Sequence, residues 1–480
     1  MEDDPTEHTN DALSVWRILR ENRDKVLAAL REGRFIALHL STWGFLDRFA
    51  AFLDQVGFFL SLEAFGDPRQ SPSIHPFFFS IVMTFKTLLG YDSFNVLPTT
   101  LFRSTALLRL MGFNAMQIKE GFNQKGTVRP FDPDTLSQFL QSRTQTHYLR
   151  WHTDVVSLWR RRKLLTGTFL MDCIYIGVES DRYEKIGRQC DKDDGQLLRK
   201  GYKVVCLVNL LPNHKLVAVA EMVFPLTVPD LTCGKTLISY VLRTQRSGFI
   251  KDLVMDMGFL DGAWLHDLKT RYHIDVFIPV KENMCIVADA IGLARYERVV
   301  WDTIRESPRR EIALFTDLTT WDAAKLPLSC CLVRDTAPDG KVTDWAIVTP
   351  KLVKTAREIY TVYSDRWDLE EAFNELTCLW QYDHFYSTKW SLVLAQIFFT
   401  FVVYSLLSLY KTEKGGEIAD MGIKRLRLEH FRSHEDVVVY LDDCYAIFTV
   451  QELFALFLEN MDAFARNKDQ LLAVLRAPPG

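Results

Sequence analysis

The sequence predicts an α/β protein in which a mixed sheet is flanked by helices. From about residue 167 the chain contains three consecutive β-rich runs, GTFLMDCIYIGV, YKVVCLVNLLP and KLVAVAEMVFPL, each bounded by turn residues. Helical and strand patterns then alternate in the order KTLISYVLRTQRSG, IKDLVMDMG, DGAWLHDLKTRYH and IDVFIPVK. Successive strands followed by this alternation are typical of a mixed sheet with helices packed on its faces.

The composition indicates a folded protein of several domains. The chain has 480 residues, of which 48% are hydrophobic and 25% charged, so roughly two to four domains are expected. A net charge of −4 neither requires nor excludes a nucleic-acid partner, because binding depends on local basic patches. Nine scattered cysteines without a CxxC pair argue against a disulfide framework or a zinc site and fit a reducing cytoplasm. The acidic first residues show no signal-peptide pattern.

Composition and periodicity divide the chain into successive regions. Both ends are predicted to be all-helical, and the linker GDPRQSPSIHP separates the first two regions. The runs RYERVVWDTI, RREIALFTDL and LSCCLVRDT predict a β-rich insertion in the sheet region, ahead of the strand DWAIVTP and a long helix that starts near Thr355. The predicted regions are 1–65, helical; 77–163, helical; 165–410, the α/β region with its insertion at about 282–343; and 411–480, helical.

One stretch, SLVLAQIFFTFVVYSLLSLY (391–410), is long and apolar enough to span a membrane, which needs about 20 residues. The alternative is a helix buried on all sides in a large core. Polar residues such as Gln396, Thr400 and Ser405 interrupt the stretch, and no second comparable segment exists. These features favour the buried helix.

Two aspartates lie at positions where a carboxylate is costly. Asp172 lies inside the apolar strand FLMDCIYIGV, and Asp256 ends LVMDMG, where a strand runs into a turn. A buried aspartate must be paired or bound to a metal, and ligands of open α/β sheets gather at the carboxyl ends of strands. The two acids together therefore predict a metal site, although for either aspartate alone a capped turn or an ion pair is the favoured interpretation.

A third acid comes from the stretch YSDRWDLEEAF (363–373). Tyr363, Arg366 and Glu370 are spaced i, i+3 and i+7, so on one helix they share a stripe beside its apolar face. Three converging carboxylates repel one another unless divalent cations hold them. Two Mg²⁺ ions about 4 Å apart would support an in-line phosphoryl displacement, while Arg366 and Tyr363 face a phosphate backbone.

A basic cluster, WRRRK (159–163), ends the second helical region. Its Arg161, Arg162 and Lys163 are candidates for phosphate contacts. A solvated helix end explains the same residues equally well, so both interpretations stay open.

These motifs resemble the DDE transposases of bacterial insertion sequences that carry a Tyr-xx-Arg-xxx-Glu-xxxxxx-Lys signature, in the RNase H-like, or retroviral integrase, superfamily. YSDRWDLEEAFNELT matches the first three signature positions, and FLMDCIYIG and LVMDMGF resemble the two aspartate motifs. The gap of 370 − 256 = 114 residues leaves room for the family's β-rich insertion. The resemblance covers residues 165–410 well and the helical N-terminus only loosely. Thr377 stands where the family has its lysine.

The resemblance implies an RNase H-like catalytic domain with Asp172, Asp256 and Glu370 as catalytic, metal-binding acids. It implies two Mg²⁺ (or Mn²⁺) ions, DNA contacts by Tyr363 and Arg366, and binding of the element's terminal inverted repeats by region 77–163. The expected activity is strand cleavage followed by strand transfer into target DNA, in cut-and-paste transposition. The expected partners are element and target DNA and a second copy in a synaptic dimer, with a cytoplasmic, nucleoid-associated location and no membrane.

Further expectations concern the missing lysine and the insertion. Thr377 motivates an alternative, a catalytically impaired or domesticated transposase that only binds DNA. A membrane protein anchored through 391–410 is a third hypothesis. The family stacks a flipped base on an aromatic residue of its insertion, for which Trp301 and Trp321 are candidates, although a packed tryptophan is the simpler interpretation of each.

Overall fold

The computed structural model divides the chain into two compact units. Residues 1–158 together with 379–480 form one, here called the terminal unit, and residues 159–378 form the other, the central unit. The structure describes residues 19–63, 65–67, 74–122, 128–190, 198–296, 299–305, 307, 309–380, 384–431, 436–441 and 443–465. Parts of the predicted linker 66–76 and of the first predicted helix therefore lie outside the described residues.

The N-terminal part of the chain is mainly helical, as the apolar periodicity predicts. Asp132 caps one helix by accepting a hydrogen bond from the backbone of Asp134, with Pro133 in the first turn. The elements are β1 Arg20–Glu21, α1 Arg23–Arg31, β2 Ala37–Leu40, α2 Gly44–Gln55, α3 Phe58–Glu63, α4 Pro76–Leu89, α5 Thr105–Leu110, α6 Ala115–Lys119, α7 Pro133–Gln141 and α8 Gln145–Arg161.

The central unit contains the predicted α/β sequence of elements. Its strands and helices are β3 Thr168–Gly177, β4 Gly187–Cys190, β5 Leu198–Leu210, β6 Leu216–Pro225, α9 Asp230–Thr244, β7 Asp252–Met255, α10 Gly262–Tyr272, β8 Asp275–Val280, α11 Cys285–Tyr296, β9 Asp302–Thr303, β10 Arg310–Leu318, β11 Leu328–Thr336, β12 Val342–Thr349, α12 Ala356–Ser364 and α13 Arg366–Trp380.

Ten strands of the described chain form one mixed sheet. The order is β4-β5-β3-β7-β8-β12-β11-β10-β9, with β6 also paired to β5. Strands β3, β7 and β8 are parallel neighbours, while β5 and β6 pair in antiparallel fashion on one side. The parallel pairing places Asp172, midway along β3, next to the carboxyl end of β7, which Asp256 directly follows.

The β-rich segment at 282–343 differs from the prediction in two ways. It begins with a helix, α11, because CIVADAIGLARY buries Ile286, Val287 and Ala290 at helical spacing. Its strands also extend the central sheet, since β12 pairs with β8 through Ala346 and Val280. The segment is thus continuous with the sheet through β8 and β12.

The C-terminal part of the chain contains strands as well as helices. The elements are α14 Trp390–Lys414, α15 Gly416–Asp420, α16 Ile423–Arg425, β13 Asp436–Tyr440, β14 Cys444–Thr449, α17 Val450–Glu459 and α18 Met461–Ala465. Strands β13 and β14 form a hairpin within the four-stranded order β1-β14-β13-β2. The prediction of all-helical N- and C-terminal regions is therefore wrong.

Alternating burial explains this small sheet. Val437 and Val439 pack with α1 on one face, whereas Val438 packs against Ala51 on the other. A period of two with β-branched residues favours a strand, and pairing with β2 from the distant N-terminus completes it.

Helix α14 is the apolar helix whose location the sequence left open. Among the described residues it alone is long and apolar enough to cross a membrane, but 94% of its most apolar window is buried inside the protein. Its Phe399 and Phe398 lie 4.9 Å and 5.3 Å, ring to ring, from Trp151 and Tyr148 of α8. The prediction of a buried core helix is confirmed.

Candidate active site

Two of the predicted acids lie side by side in the sheet. Strand β3 pairs with β7 in parallel register, with Met171 opposite Met255. Asp172 and Asp256 each follow the last paired residue, so the register brings them to neighbouring positions. Asp172 is held inside the sheet by its flanking apolar neighbours, and 19% of its side chain is exposed.

The predicted long helix is two helices. Thr355 caps α12, which ends at Ser364, and α13 begins at Arg366 after the intervening Asp365. The expectation that Tyr363 shares a single helix with Arg366 and Glu370 is therefore wrong. The break lies beside His214, a residue of the β5–β6 turn whose Nδ1 is 3.0 Å from Asp368 and 3.6 Å from Asp365.

Arg366 joins the helix to the sheet. Its Nη1 donates a hydrogen bond of 3.2 Å to Asp172 Oδ2, and its Nη2 donates one of 2.8 Å to Glu370 Oε1. The Tyr363 ring lies 5.9 Å from the Arg366 guanidinium carbon and 6.2 Å from the Trp345 ring. The side chains of Tyr363, Arg366 and Glu370 therefore lie close together although the helix is broken between Tyr363 and Arg366.

Electrostatics tie the same residues together. Burial raises the pKa of Asp172 to about 6; the charges of Asp256 and Glu370 add to this, while the Cys173 N–H and Arg366 oppose it. Burial also raises the pKa of Tyr363, and the charges on Asp256 and Asp172 act in the same direction against Arg366. Asp172 therefore senses both other predicted acids, which form one interacting cluster.

The oxygen donors of this cluster suit a hard divalent cation. Asp172, Asp256 and Glu370 offer carboxylate oxygens only, the ligands that Mg²⁺ and Mn²⁺ prefer. The 40% exposure of the Glu370 side chain leaves the cluster open to a substrate on one side. The donor set therefore fits the predicted metals.

The structure contains a second group of side chains of the kinds that bind metals, which was not predicted from the sequence. Within the described parts of the chain, His214, Asp365 and Asp368 are the only His, Cys, Asp or Glu residues that bring three such atoms within 4.8 Å of one another. Burial raises the pKa of Asp365 to about 6, against the charge of His214. No sequence pattern connects a β-turn histidine to this helix break, because their contact exists only in the folded sheet.

The predicted basic cluster lies at the other end of the strands from the acids. Arg161, Arg162 and Lys163 are exposed at the end of α8, just before β3 begins. From Thr168 to Asp172 the strand advances roughly 13 Å. A duplex would have to extend beyond the acid cluster to reach these side chains.

The structure adds one basic residue to the candidate DNA-binding surface and shows what Thr377 contacts. Arg160 donates to the carbonyl of Arg246 at 3.5 Å and lies 5.1 Å from the Phe249 ring, so Arg246 adds to the basic surface. Its proximity to 159–163 follows from the entry of β7 beside β3 and has no local sequence signal. Thr377 bonds internally, through its hydroxyl, to the Phe373 carbonyl at 2.9 Å.

The two candidate stacking residues are both half-buried. Trp301 packs against Arg334, whose guanidinium carbon is 4.3 Å from the ring. Trp321 lies in the loop after β10.

Residues 176–406 match a family model described as a transposase DDE domain. Over these residues, just under half of the chain, the sequence is similar to a transposase DDE domain. This domain belongs to DNA transposition and recombination, and the match supports a DDE transposase family and a transposase or nuclease type of enzyme. The matched range includes Asp256 and Glu370 and begins four residues after Asp172. No curated protein matches the chain significantly.

The DDE domain has consequences for ligands as well. Transposases of this family act on DNA, and DDE transposases generally use divalent metal ions, as the acid cluster's donor set would require. The described mixed α/β sheet with its surrounding helices is consistent with a DDE, RNase H-like domain.

Proposed function

We propose that the protein is an insertion-sequence transposase that binds the ends of its element and catalyses metal-dependent strand cleavage and strand transfer. The observation that carries this proposal is the convergence of Asp172, Asp256 and Glu370 from two parallel strands and one helix, in and next to the segment that matches a transposase DDE domain. A structural ion pair needs one acid for one arginine, whereas here three acids surround Arg366.

The role of the three acids in this proposal is to bind metal ions. Asp172, Asp256 and Glu370 would hold two Mg²⁺ or Mn²⁺ ions, which would supply an activated oxygen nucleophile and stabilise the leaving oxygen of the phosphodiester. The apolar strands around Asp172 fix its carboxylate in place, so little reorganisation is needed on binding.

Tyr363 and Arg366 would hold the DNA backbone next to the acids. A guanidinium binds two phosphate oxygens at once, and a phenol donates one further hydrogen bond. Arg161, Arg162 and Lys163 would contact more distant phosphates, which position the duplex without reading its sequence.

The proposed binding partners follow from a reaction that must join two ends of a DNA element to a target. The partners would be double-stranded DNA with terminal inverted repeats, the target DNA, and a second copy of the chain in a synaptic dimer. Residues 77–163 would bind the terminal repeats, and the protein would act in the cytoplasm, associated with the nucleoid. The signature would be the Tyr-Arg-Glu-Lys type, of which Tyr363, Arg366 and Glu370 are present.

Thr377 supports a second candidate, a transposase-derived protein that binds DNA with impaired catalysis. Its hydroxyl is engaged with the helix backbone and carries no charge for a phosphate. The metal-binding acids are unaffected by this substitution, so active catalysis remains the main proposal.

The test is cleavage of DNA carrying the element's flanking inverted repeats, in Mg²⁺ or Mn²⁺. Asp172→Asn, Asp256→Asn and Glu370→Gln should each reduce strand cleavage by roughly a thousandfold or more, because transition-state charge stabilisation is lost. End binding in a gel-shift assay should stay within a few-fold of the unmodified protein. Glu371→Gln is the matched control, since Glu371 is exposed on the same helix. Unchanged cleavage by any of the three variants would contradict the assignment, and absence of cleavage by the unmodified protein would favour the second candidate.

A further inference from the structure

Arg366 links two of the three predicted acids. Its guanidinium donates to both Asp172 and Glu370, and only 16% of its side chain is exposed. One largely buried cation therefore bridges carboxylates from the sheet and from α13.

A divalent cation would need the same carboxylate oxygens. Mg²⁺ binds oxygens at about 2.1 Å in octahedral geometry, which places adjacent ligand oxygens about 3 Å apart. In the described residues, three potential ligand atoms come within 4.8 Å of one another at His214, Asp365 and Asp368 and not at the predicted acids. Two of those acids are instead bridged by the two Nη atoms of Arg366.

We infer that Arg366 competes with the divalent cation, holding Asp172 and Glu370 in the absence of DNA and releasing them when a DNA phosphate binds its guanidinium. This inference rests on the proposed function and concerns the regulation of the same site. A guanidinium forms two parallel hydrogen bonds to a phosphate as readily as to a carboxylate, so the exchange preserves its hydrogen bonding. The released oxygens then become available as metal ligands.

The exchange couples metal loading to DNA. Without DNA, cation binding must displace Arg366 from two charge-assisted hydrogen bonds, which weakens the apparent metal affinity. With a phosphate at the site, that cost falls. The protein would therefore carry a fully loaded metal site mainly when its DNA substrate is bound.

The inference is tested by the affinity of the full-length protein for Mn²⁺ without DNA, measured by calorimetric titration. Arg366→Gln should bind Mn²⁺ roughly tenfold or more tightly than the unmodified protein, a typical coupling between two sites. Arg366→Lys should fall between them, because an ammonium retains the charge without the two-pronged geometry. The matched control is Arg48→Gln, which removes an arginine from a buried aspartate of the terminal unit, and its Mn²⁺ affinity should equal that of the unmodified protein.

Equal or weaker Mn²⁺ binding by Arg366→Gln would overturn the competitor role. Adding Asp172→Asn to Arg366→Gln should abolish the gain; if the gain persists, the ion lies elsewhere, for example at His214, and the inference is wrong. If neither the unmodified protein nor Arg366→Gln binds Mn²⁺, the metal chemistry of the proposed function fails together with the inference. If both bind with equal affinity and Asp172→Asn abolishes binding, only the inference fails.

Discussion

Two clusters of acidic residues around an arginine, one in each unit, contain similar residue types in different proportions. In the central unit, Arg366 donates hydrogen bonds to Asp172 and Glu370, and the charge of Asp256 acts on it as well. In the terminal unit, Arg48 pairs with Asp436, while Asp47 accepts a hydrogen bond from a serine hydroxyl. Both clusters contain an aspartate whose pKa is raised mainly by burial.

The terminal cluster is enclosed and internally balanced. Only 4% of the Asp436 side chain is exposed, and Arg48 reaches it from the partly exposed helix α2. Asp47 is buried on the same helix, and burial raises its pKa to about 7. Since a neutral Asp47 needs no cation, one arginine is enough for the remaining charge.

The comparison shows that a raised pKa does not identify a functional site by itself. What distinguishes the central cluster is an excess of carboxylates over cations together with an exposed Glu370. Such an excess is unfavourable for stability and favourable for binding a divalent ion.

The first prediction concerns the pH dependence of the terminal cluster. Because the folded-state pKa of Asp47 is raised from 3.8 to about 7, the native protein retains a proton there that the unfolded chain loses. Its contribution to stability is complete below about pH 4 and is lost as the pH rises towards 7. Asp47→Asn should remove this decline, so its free energy of unfolding relative to the unmodified protein should rise by about 3 kcal/mol between pH 4 and pH 8.

Denaturant unfolding at several pH values measures that difference. The other groups that act with Asp47, namely Asp436, Arg48, Tyr440 and Tyr445, are the same in both proteins. Their own pH dependence should therefore largely cancel. A constant difference between the two proteins across this pH range would show that Asp47 is ionised in the folded state.

The second prediction concerns the arginine of the balanced pair. Arg48→Gln should reduce the free energy of unfolding by about 2 kcal/mol, because Asp436 stays buried without its cation while the exposed half of Arg48 limits the loss. Mn²⁺ should not restore the stability, since a single buried carboxylate is a poor site. Thermal unfolding with and without Mn²⁺ measures both effects. If Mn²⁺ restored the stability of the Arg48→Gln variant, the terminal cluster would also bind a divalent ion, and the proposed difference between the two clusters would be wrong.

Much of the central cluster was predictable from sequence. Asp172 inside an apolar strand and Asp256 at the end of one are conspicuous in the sequence, whereas the single helical stripe predicted for Tyr363, Arg366 and Glu370 is interrupted at Asp365. The succession of central strands and helices along the chain also followed from β-rich runs bounded by turn residues and from helical periodicity. Chain-local patterns suffice where burial is dictated by the element itself.

The rest depended on contacts between distant segments. The helix break at Asp365 lies beside His214 from a β-turn, and the sequence around Asp365 contains no Gly or Pro that would mark a break. The sequence of β13 was predicted to belong to a helical region. Its extended conformation depends on pairing with β2, which is distant in the sequence. The Arg48–Asp436 pair joins residues 388 positions apart, so no spacing rule could reveal it.

The last and smallest effect concerns the missing signature lysine. Thr377 follows Glu370 by seven residues, so on an α-helix it lies about 20° from the same stripe. Thr377→Lys should add one phosphate contact beside the acid cluster, raising affinity for a duplex a few-fold at low salt and steepening the salt dependence by about one ion. Thr377→Gln is the matched control, because it also removes the hydroxyl bond to Phe373 but adds no charge. The affinity of both variants for a duplex is measured across a salt series. Equal slopes of affinity against salt concentration would mean that position 377 does not face the DNA. The threonine would then not be a cause of reduced activity.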